Sequence, residues 1–384
     1  MEDMVKFDDI RPYCDHEVAP IIEKLLNDPE FKRVVHFILP GVEWEEFKTI
    51  MRSFNNTHDF QDTMVKNLIF SLLAKAGSSV DCSNFENLSK NQSYTFISNH
   101  RDIVLDASIL CILLLKNGHD TVEIAIGDNL LIQPWIFDIV RLNKSFIVKR
   151  GISGRQMFEV SKHLSEYIHY AVTTKNQSVW IAQREGRAKN SDDRTQESVL
   201  KMLSMGSDKK FLESIEELNI TPLSLSYEYD PCDYLKAKEF QQKRDNPDFK
   251  KSPQDDLNNM ETGIFGYKGH IHFQTGRPIN RFLSKIDKNL DKTEIVSAVA
   301  ELIDHEIFLN YHFYPVNYIA YDRLWGNNET FRDKYSDEDI RVFDDYMQKK
   351  LDLIDLPNKD IPYLSEKLME MYAFPVKNYL SVKE

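Results

Sequence analysis

Cysteine is scarce: Cys14, Cys82, Cys111 and Cys232 are scattered through 384 residues, and no two form a CxxC pair. That excludes the usual zinc patterns and the small disulfide scaffold, and it suits a reducing compartment. Long apolar runs are missing too. The longest unbroken one, Ile109 to Leu115, follows Ile103 to Leu105 with Asp106 and Ser108 in between. A bilayer span needs ~20 apolar residues, so a buried helix is expected there instead. Positive charge is in deficit: 48 Lys plus Arg face 61 Asp plus Glu, a net charge of -13. This argues against a surface built for nucleic acid, while leaving room for a local basic pocket. The opening MEDMVKFDDIRPY is acidic and polar. It lacks the basic stretch and apolar run of a secretory signal, so a cytoplasmic protein is expected. No internal repeat is visible.

What is present reads as a folded protein, 42% hydrophobic, and 384 residues suffice for one large domain or two unequal ones. Between Glu17 and Gly77 apolar residues recur at helical spacing, as in Ile21, Ile22, Leu25, Leu26 and again Met64, Leu68, Ile69, Leu72, Leu73. Asp28-Pro29 and Pro40-Gly41 punctuate this region, so residues 1–80 are expected to hold two to four helices. The pattern then changes to short β-type runs separated by helical stretches: Tyr94–Ser98, Val122–Ile126, Ser145–Val148, Ser178–Ala182, Thr221–Tyr227 and His270–Gln274. Alternation of this kind predicts an α/β domain over 81–290, a mostly buried mixed sheet flanked by helices. The charged segment Lys236–Asn259 is expected to be a surface excursion. Residues 291–384 are expected to be helical. Their aromatic stretch, from Phe308 to Trp325, suits packing better than contact with lipid head groups.

The chemistry concentrates around Tyr94-Thr-Phe-Ile-Ser-Asn-His100-Arg-Asp-Ile-Val-Leu-Asp106. This puts a histidine at the end of a β run, where catalytic groups gather in α/β folds. A neutral imidazole takes a proton from a hydroxyl when a carboxylate holds its other nitrogen. The plainer alternative is a helix capped by Asp102, with His100 merely satisfying backbone groups.

Three further blocks come in order along the chain. They are Ile126-Gly-Asp-Asn129 with Asn143-Lys-Ser-Phe-Ile-Val-Lys-Arg150; Trp180-Ile-Ala-Gln-Arg-Glu185-Gly186-Arg187 with Lys189 and Arg194-Thr195; and Ile220-Thr-Pro222-Leu-Ser-Leu-Ser-Tyr227-Glu228. Together with the His100 block they resemble the glycerol-3-phosphate and lysophosphatidate (PlsC-like) acyltransferase family, over about a third of the chain. The resemblance implies His100 as general base and Asp106 as its partner. It also implies a binding role for Arg150, Glu185, Gly186, Arg187 and Lys189 around an acceptor phosphate. Arginine's planar fork suits phosphate oxygens, and a glycine lets backbone N–H groups approach a ligand.

Two departures from the family pattern stand out. Five residues separate His100 from Asp106 where the family has four, so Leu105 occupies the family's aspartate position and Asp102 is the rival partner. Neither spacing puts both side chains on one helix face, so the contact needs a non-helical turn after His100. Arg187 follows Gly186 directly where the family usually inserts a residue, so Lys189 or Arg194 is the alternative phosphate ligand.

The implied partners are an acyl-CoA or acyl-carrier-protein thioester, a phosphate-bearing glycerol acceptor and a membrane surface at the inner face, with no metal and no cofactor. The glycerol-3-phosphate enzymes are a slightly closer match than the lysophosphatidate ones. Acylation of another lipid or amine, or a non-catalytic lipid-binding role, are the rival readings. Gly269-His270-Ile-His272 shows two histidines on one strand face but no evident carboxylate partner, so a metal site is not expected there. His305 and His312 are expected to be packing or surface residues, and Asp192-Asp193 a solvated loop.

Overall fold

The computed structural model describes residues 5–287, 289–327 and 329–383. Seven strands form one sheet: β1 (Ser79–Ser83), β2 (Thr95–Ser98), β3 (Glu123–Gly127), β4 (Ser145–Val148), β5 (Val179–Ala182), β6 (Ile220–Tyr227) and β7 (His270–Thr275). Their order is β1-β7-β6-β2-β5-β3-β4. Every pairing is parallel except β6 with β7, so the sheet is mixed. Burial follows position: all four residues of β2 and all eight of β6 are buried, as expected for central strands covered on both faces. Six strands fall where β-type runs predict them. The seventh, β1, carries the polar sequence Ser-Val-Asp-Cys-Ser and is held at the sheet edge by pairing with β7, Val80 opposite Ile271. An edge strand with so little apolar content leaves no pattern to read.

Before the sheet come the helices Asp15–Leu26, Pro29–Ile38, Trp44–Arg52 and Lys66–Lys75, the last entered through the π-turn Phe60–Val65. Asp28 and Pro29 start their helix as their types dictate: the Asp28 side chain accepts from the backbone of Glu30 and Phe31, and Pro29 needs no donor in the first turn. Val18, Ile22, Leu25, Phe47 and Met51 form the core of this region, joined by Leu142 from the helix Pro134–Leu142. Burying each such side chain contributes about 1.5–3 kcal/mol.

The run around Ile109 forms the helix Leu105–Lys116, buried from Leu105 through Leu114. It packs between the sheet, at Phe96 and Leu223, and Ile69, Leu72 and Leu73 of the N-terminal helices. Among the described residues no helix is long and apolar enough to cross a membrane.

Lys236–Asn259 is exposed over most of its middle, as expected of a surface excursion, but it is helical and its two ends are buried. It forms most of two helices, Asp233–Asp245 and Pro253–Phe265, in which Lys236, Glu239, Gln241 and Asn259 are buried. Their polar atoms find partners: Lys236 pairs with Asp230 just before its helix, and Gln241 donates to the distant Asn358 carbonyl at 2.6 Å. Composition alone cannot distinguish a buried polar group with a remote partner from a solvated one.

After the sheet, the helices Lys292–Leu309, Pro315–Leu324, Asp337–Asp352 and Ile361–Val382 complete the chain. Val296, Val299, Ile303 and Ile307 lie in the core beneath the sheet, and Phe308, Tyr311 and Tyr314 are buried, so most of the aromatic stretch is packing. Trp325 is the exposed member, at 37%.

Candidate active site

Because β6, β2, β5, β3 and β4 run parallel, their C-terminal ends open on the same edge of the sheet. There the ends of β2, β5, β3 and β4 border a cavity of about 640 Å³ lined by His100, Arg150, Glu185, Gly186, Arg187 and Lys189.

Asn99 fixes where the chain leaves β2: its side chain donates to the Leu225 carbonyl at 2.9 Å and accepts from the Leu225 N–H at 2.8 Å. The next residue, His100, therefore emerges at the sheet edge, and residues 101–104 turn before the helix begins at Leu105. That turn brings Asp106 back toward the ring, with Oδ2 2.8 Å from His100 Nδ1. The same oxygen accepts from the backbone N–H of Arg101 at 2.7 Å and of Asp102 at 3.1 Å, while Oδ1 accepts from the Tyr227 hydroxyl at 2.9 Å. With Nδ1 engaged, Nε2 is the nitrogen left for the cavity. Trp180 meets the His100 ring edge-on at 5.6 Å, its indole N–H donating to Ser98 Oγ at 3.0 Å.

Asp102 instead caps the helix, accepting from the N–H groups of Val104 and Leu105 at 2.8 Å each. Burial and the neighbouring Asp106 push its carboxyl above the usual range. The four N–H groups at Arg101, Asp102, Val104 and Leu105 are thus spoken for.

The basic residues divide into two groups. Arg150 donates to Glu185 Oε1 at 2.8 Å, and its backbone N–H donates to Asp128 Oδ1 at 3.0 Å. Gly127 is required here: a Cβ would lie 2.5 Å from both Arg150 Nε and Asn129 Oδ1. Gly186 sits at φ +67°, a backbone region that glycine enters without strain. Arg187 reaches the other way, to Asn259 Oδ1 at 3.4 Å, and its Nη1 is buried without a partner. Lys189 pairs with the buried Glu239, and burial lowers its ammonium to about 8. Arg194 is turned away, to Asn378 at 3.0 Å and over the Phe308 ring.

Two other sequence expectations need correcting. Asp193 is no solvated loop residue; it is fully buried, with both carboxylate oxygens unpartnered, and burial raises its pKa against the pull of Arg101 and Arg184. His270 and His272 do have a carboxylate partner, Asp81 from β1, bonded to His272 and 3.3 Å from His270 Nε2, with His312 packed against both rings. Among the described residues, however, no group of three such side chains is arranged to hold a metal ion. Sequence reasoning also missed Tyr227 as a partner of Asp106 and Lys236 and Lys251 as cavity residues. No local signal exists for contacts that the sheet register and the helices after β6 create.

Residues 79–224 match the family model described as Acyltransferase. They form an acyltransferase domain, and the protein is an acyltransferase. Through that domain the chain is similar to the acyltransferase family. A solved structure to which it is similar is that of the 1-acyl-sn-glycerophosphate (LPA) acyltransferase, PlsC, from Thermotoga maritima. The two are 12% identical and superpose with a TM-score of 0.36, over 74% of this chain and 93% of that one. No curated protein sequence matches.

Proposed function

We propose that the protein transfers a fatty acyl group from an acyl-CoA or acyl-carrier-protein thioester to the hydroxyl of glycerol 3-phosphate or a lysophosphatidate. The observation that carries this reading is His100: its Nδ1 is held by a buried carboxylate while the ring lines the cavity that also holds Arg150 and Arg187. His100 Nε2 takes the acceptor's hydroxyl proton, and the alkoxide attacks the thioester carbon. The tetrahedral oxyanion then collapses, the C–S bond breaks, and the imidazolium returns its proton to the leaving thiolate. Asp106 stabilises the imidazolium meanwhile, as a buried carboxylate does for a histidine base.

Arg150, oriented by Glu185, holds the acceptor's phosphate, and Arg187, turned toward Asn259, adds positive charge to the cavity. Gly186 is a candidate source of an oxyanion N–H, beside Ile103, since Arg101, Asp102, Val104 and Leu105 have committed theirs to Asp106 and Asp102. A lipid acceptor or product is met at a membrane, and Met157 and Phe158, exposed at 51% and 62% with Met157 lining the cavity, support peripheral contact with the inner face.

The test is product analysis by mass spectrometry from palmitoyl-CoA with glycerol 3-phosphate and with lysophosphatidate, wild type beside His100→Ala. The expected result is an acylated acceptor made by wild type only. Absence of product with both acceptors, or an undiminished rate in the variant, overturns the reading.

A further inference from the structure

The cavity has two unlike flanks. In the sheet β6 lies on one side of β2 and β5, β3 and β4 on the other. His100, at the end of β2, therefore stands between the segments that leave β6 and β4. On the β4 flank Lys149 and Arg150 stand at the strand end, and the wall beyond them is apolar, with Val148, Met157, Val160, Leu164 and Met202. On the β6 flank the helices Asp233–Asp245 and Pro253–Phe265 contribute Lys236 and Asn259, the connection between them Lys251, and Lys189 lines the same cavity. Both of these helices lie outside the stretch that matches the acyltransferase family.

One carboxylate organises this second flank. Glu239, 4% exposed, pairs with Lys189, with Lys243 at 2.9 Å and with Lys251 at 3.2 Å. Asp256 adds a looser contact to Lys251 at 3.7 Å, and Lys236 is already committed to Asp230. Three ammonium groups on one buried carboxylate leave positive charge uncompensated in a chain of net charge -13, and two of them, Lys189 and Lys251, line the cavity. The lysine side chains are 26%, 53% and 27% exposed in chain order, so they remain open to a ligand.

We propose that Lys189, Lys243 and Lys251, gathered by Glu239, form a second anion subsite that takes the phosphates of the acyl donor, the nucleotide of a coenzyme A thioester. This rests on the acyl-transfer reading above, with the acceptor's phosphate at Arg150. The polarity of the cavity fits such a donor. A thioester carbon has an apolar chain on one side and, beyond a long neutral arm, a polyanionic head on the other. His100 has an apolar wall beyond Arg150 on one flank and Lys189 and Lys251 on the opposite flank. The burial of Lys189, which lowers its ammonium to about 8, adds a group whose charged form an arriving phosphate favours.

Calorimetric titration of the full chain with 3′,5′-adenosine diphosphate tests this, comparing wild type, Lys251→Gln and Lys243→Gln/Lys251→Gln, with circular dichroism to verify folding. Wild type is expected to bind, more weakly as salt rises, and the double variant to lose about tenfold in affinity. A parallel titration with glycerol 3-phosphate is expected to be weakened by Arg150→Gln far more than by the lysine changes. No binding of the nucleotide by wild type, or equal binding by all three proteins, overturns the proposal. Loss of glycerol 3-phosphate binding in the lysine variants overturns it too, because the cluster is then the acceptor's own site. Nucleotide binding needs no turnover, so a failed acyl-transfer assay with nucleotide binding intact sinks the reaction and not the subsite.

Discussion

The hydroxyl of Tyr227 lies 2.9 Å from Oδ1 of Asp106, on the carboxylate whose other oxygen holds His100. β6 thereby fixes the acid whose backbone belongs to the helix after β2. With that bond Asp106 accepts from four groups while fully buried, so its orientation is fixed on every side. Removing the hydroxyl in Tyr227→Phe leaves the ring's packing intact and frees one oxygen. The turnover number is expected to fall about tenfold with KM little changed, at a stability loss of about 1 kcal/mol. Steady-state kinetics against the acceptor checks this, and a rise in KM alone contradicts a positioning role.

Asp106 and Asp102 separate by what they hold. Asp106→Asn keeps the shape but reverses the hydrogen-bond preference at His100 Nδ1, so activity is expected to drop by about 10²–10⁴. Asp102→Asn preserves the cap, since an asparagine oxygen accepts from Val104 and Leu105 equally well. Its rate is expected to stay within about threefold of wild type. Equal losses in the two variants would falsify the assignment of Asp106 as the imidazole's partner.

Gly263 sits where the helix Pro253–Phe265 crosses Asp102, and a Cβ there would overlap the Asp102 carboxylate. Gly263→Ala must push that helix off the site or rotate the cap. A loss of about 1–3 kcal/mol in urea unfolding is expected, with reduced activity in the protein that remains folded. A variant as stable as wild type means that the helix moves freely there.

Burial raises the Asp304 carboxyl from 3.8 to about 6, despite the hydrogen bonds it accepts from the Thr195 N–H and hydroxyl at 2.8 and 2.6 Å. Between those two values the folded state binds the proton more tightly than the unfolded chain. This contribution to stability is therefore whole below about pH 4 and is lost as pH rises through about 6, by roughly 2–3 kcal/mol. Asp304→Asn accepts from the same donors and cannot ionise. The stability of wild type relative to the variant should thus fall between pH 4 and pH 7, and parallel unfolding curves at both pH values rule this out.

Much of the framework was legible in the chain. Six strands follow from β-type runs, and the buried helix after β2 follows from an apolar stretch too short for a membrane, because local periodicity reflects which faces lose water. The residues around the cavity, His100, Arg150, Glu185, Gly186, Arg187 and Lys189, were visible because they lie in or just beyond four ordered blocks at strand ends. Tertiary structure alone decided the rest. The choice of Asp106 over Asp102 as the neighbour of His100 depends on the turn over residues 101–104, the edge strand β1 on pairing with β7, and the burial of Gln241 on Asn358, far along the chain. The physical reason is common to all of these. A residue's own type sets its preference for water, but whether a charge or a polar strand is buried depends on which distant groups satisfy it, and those are brought near only by the fold.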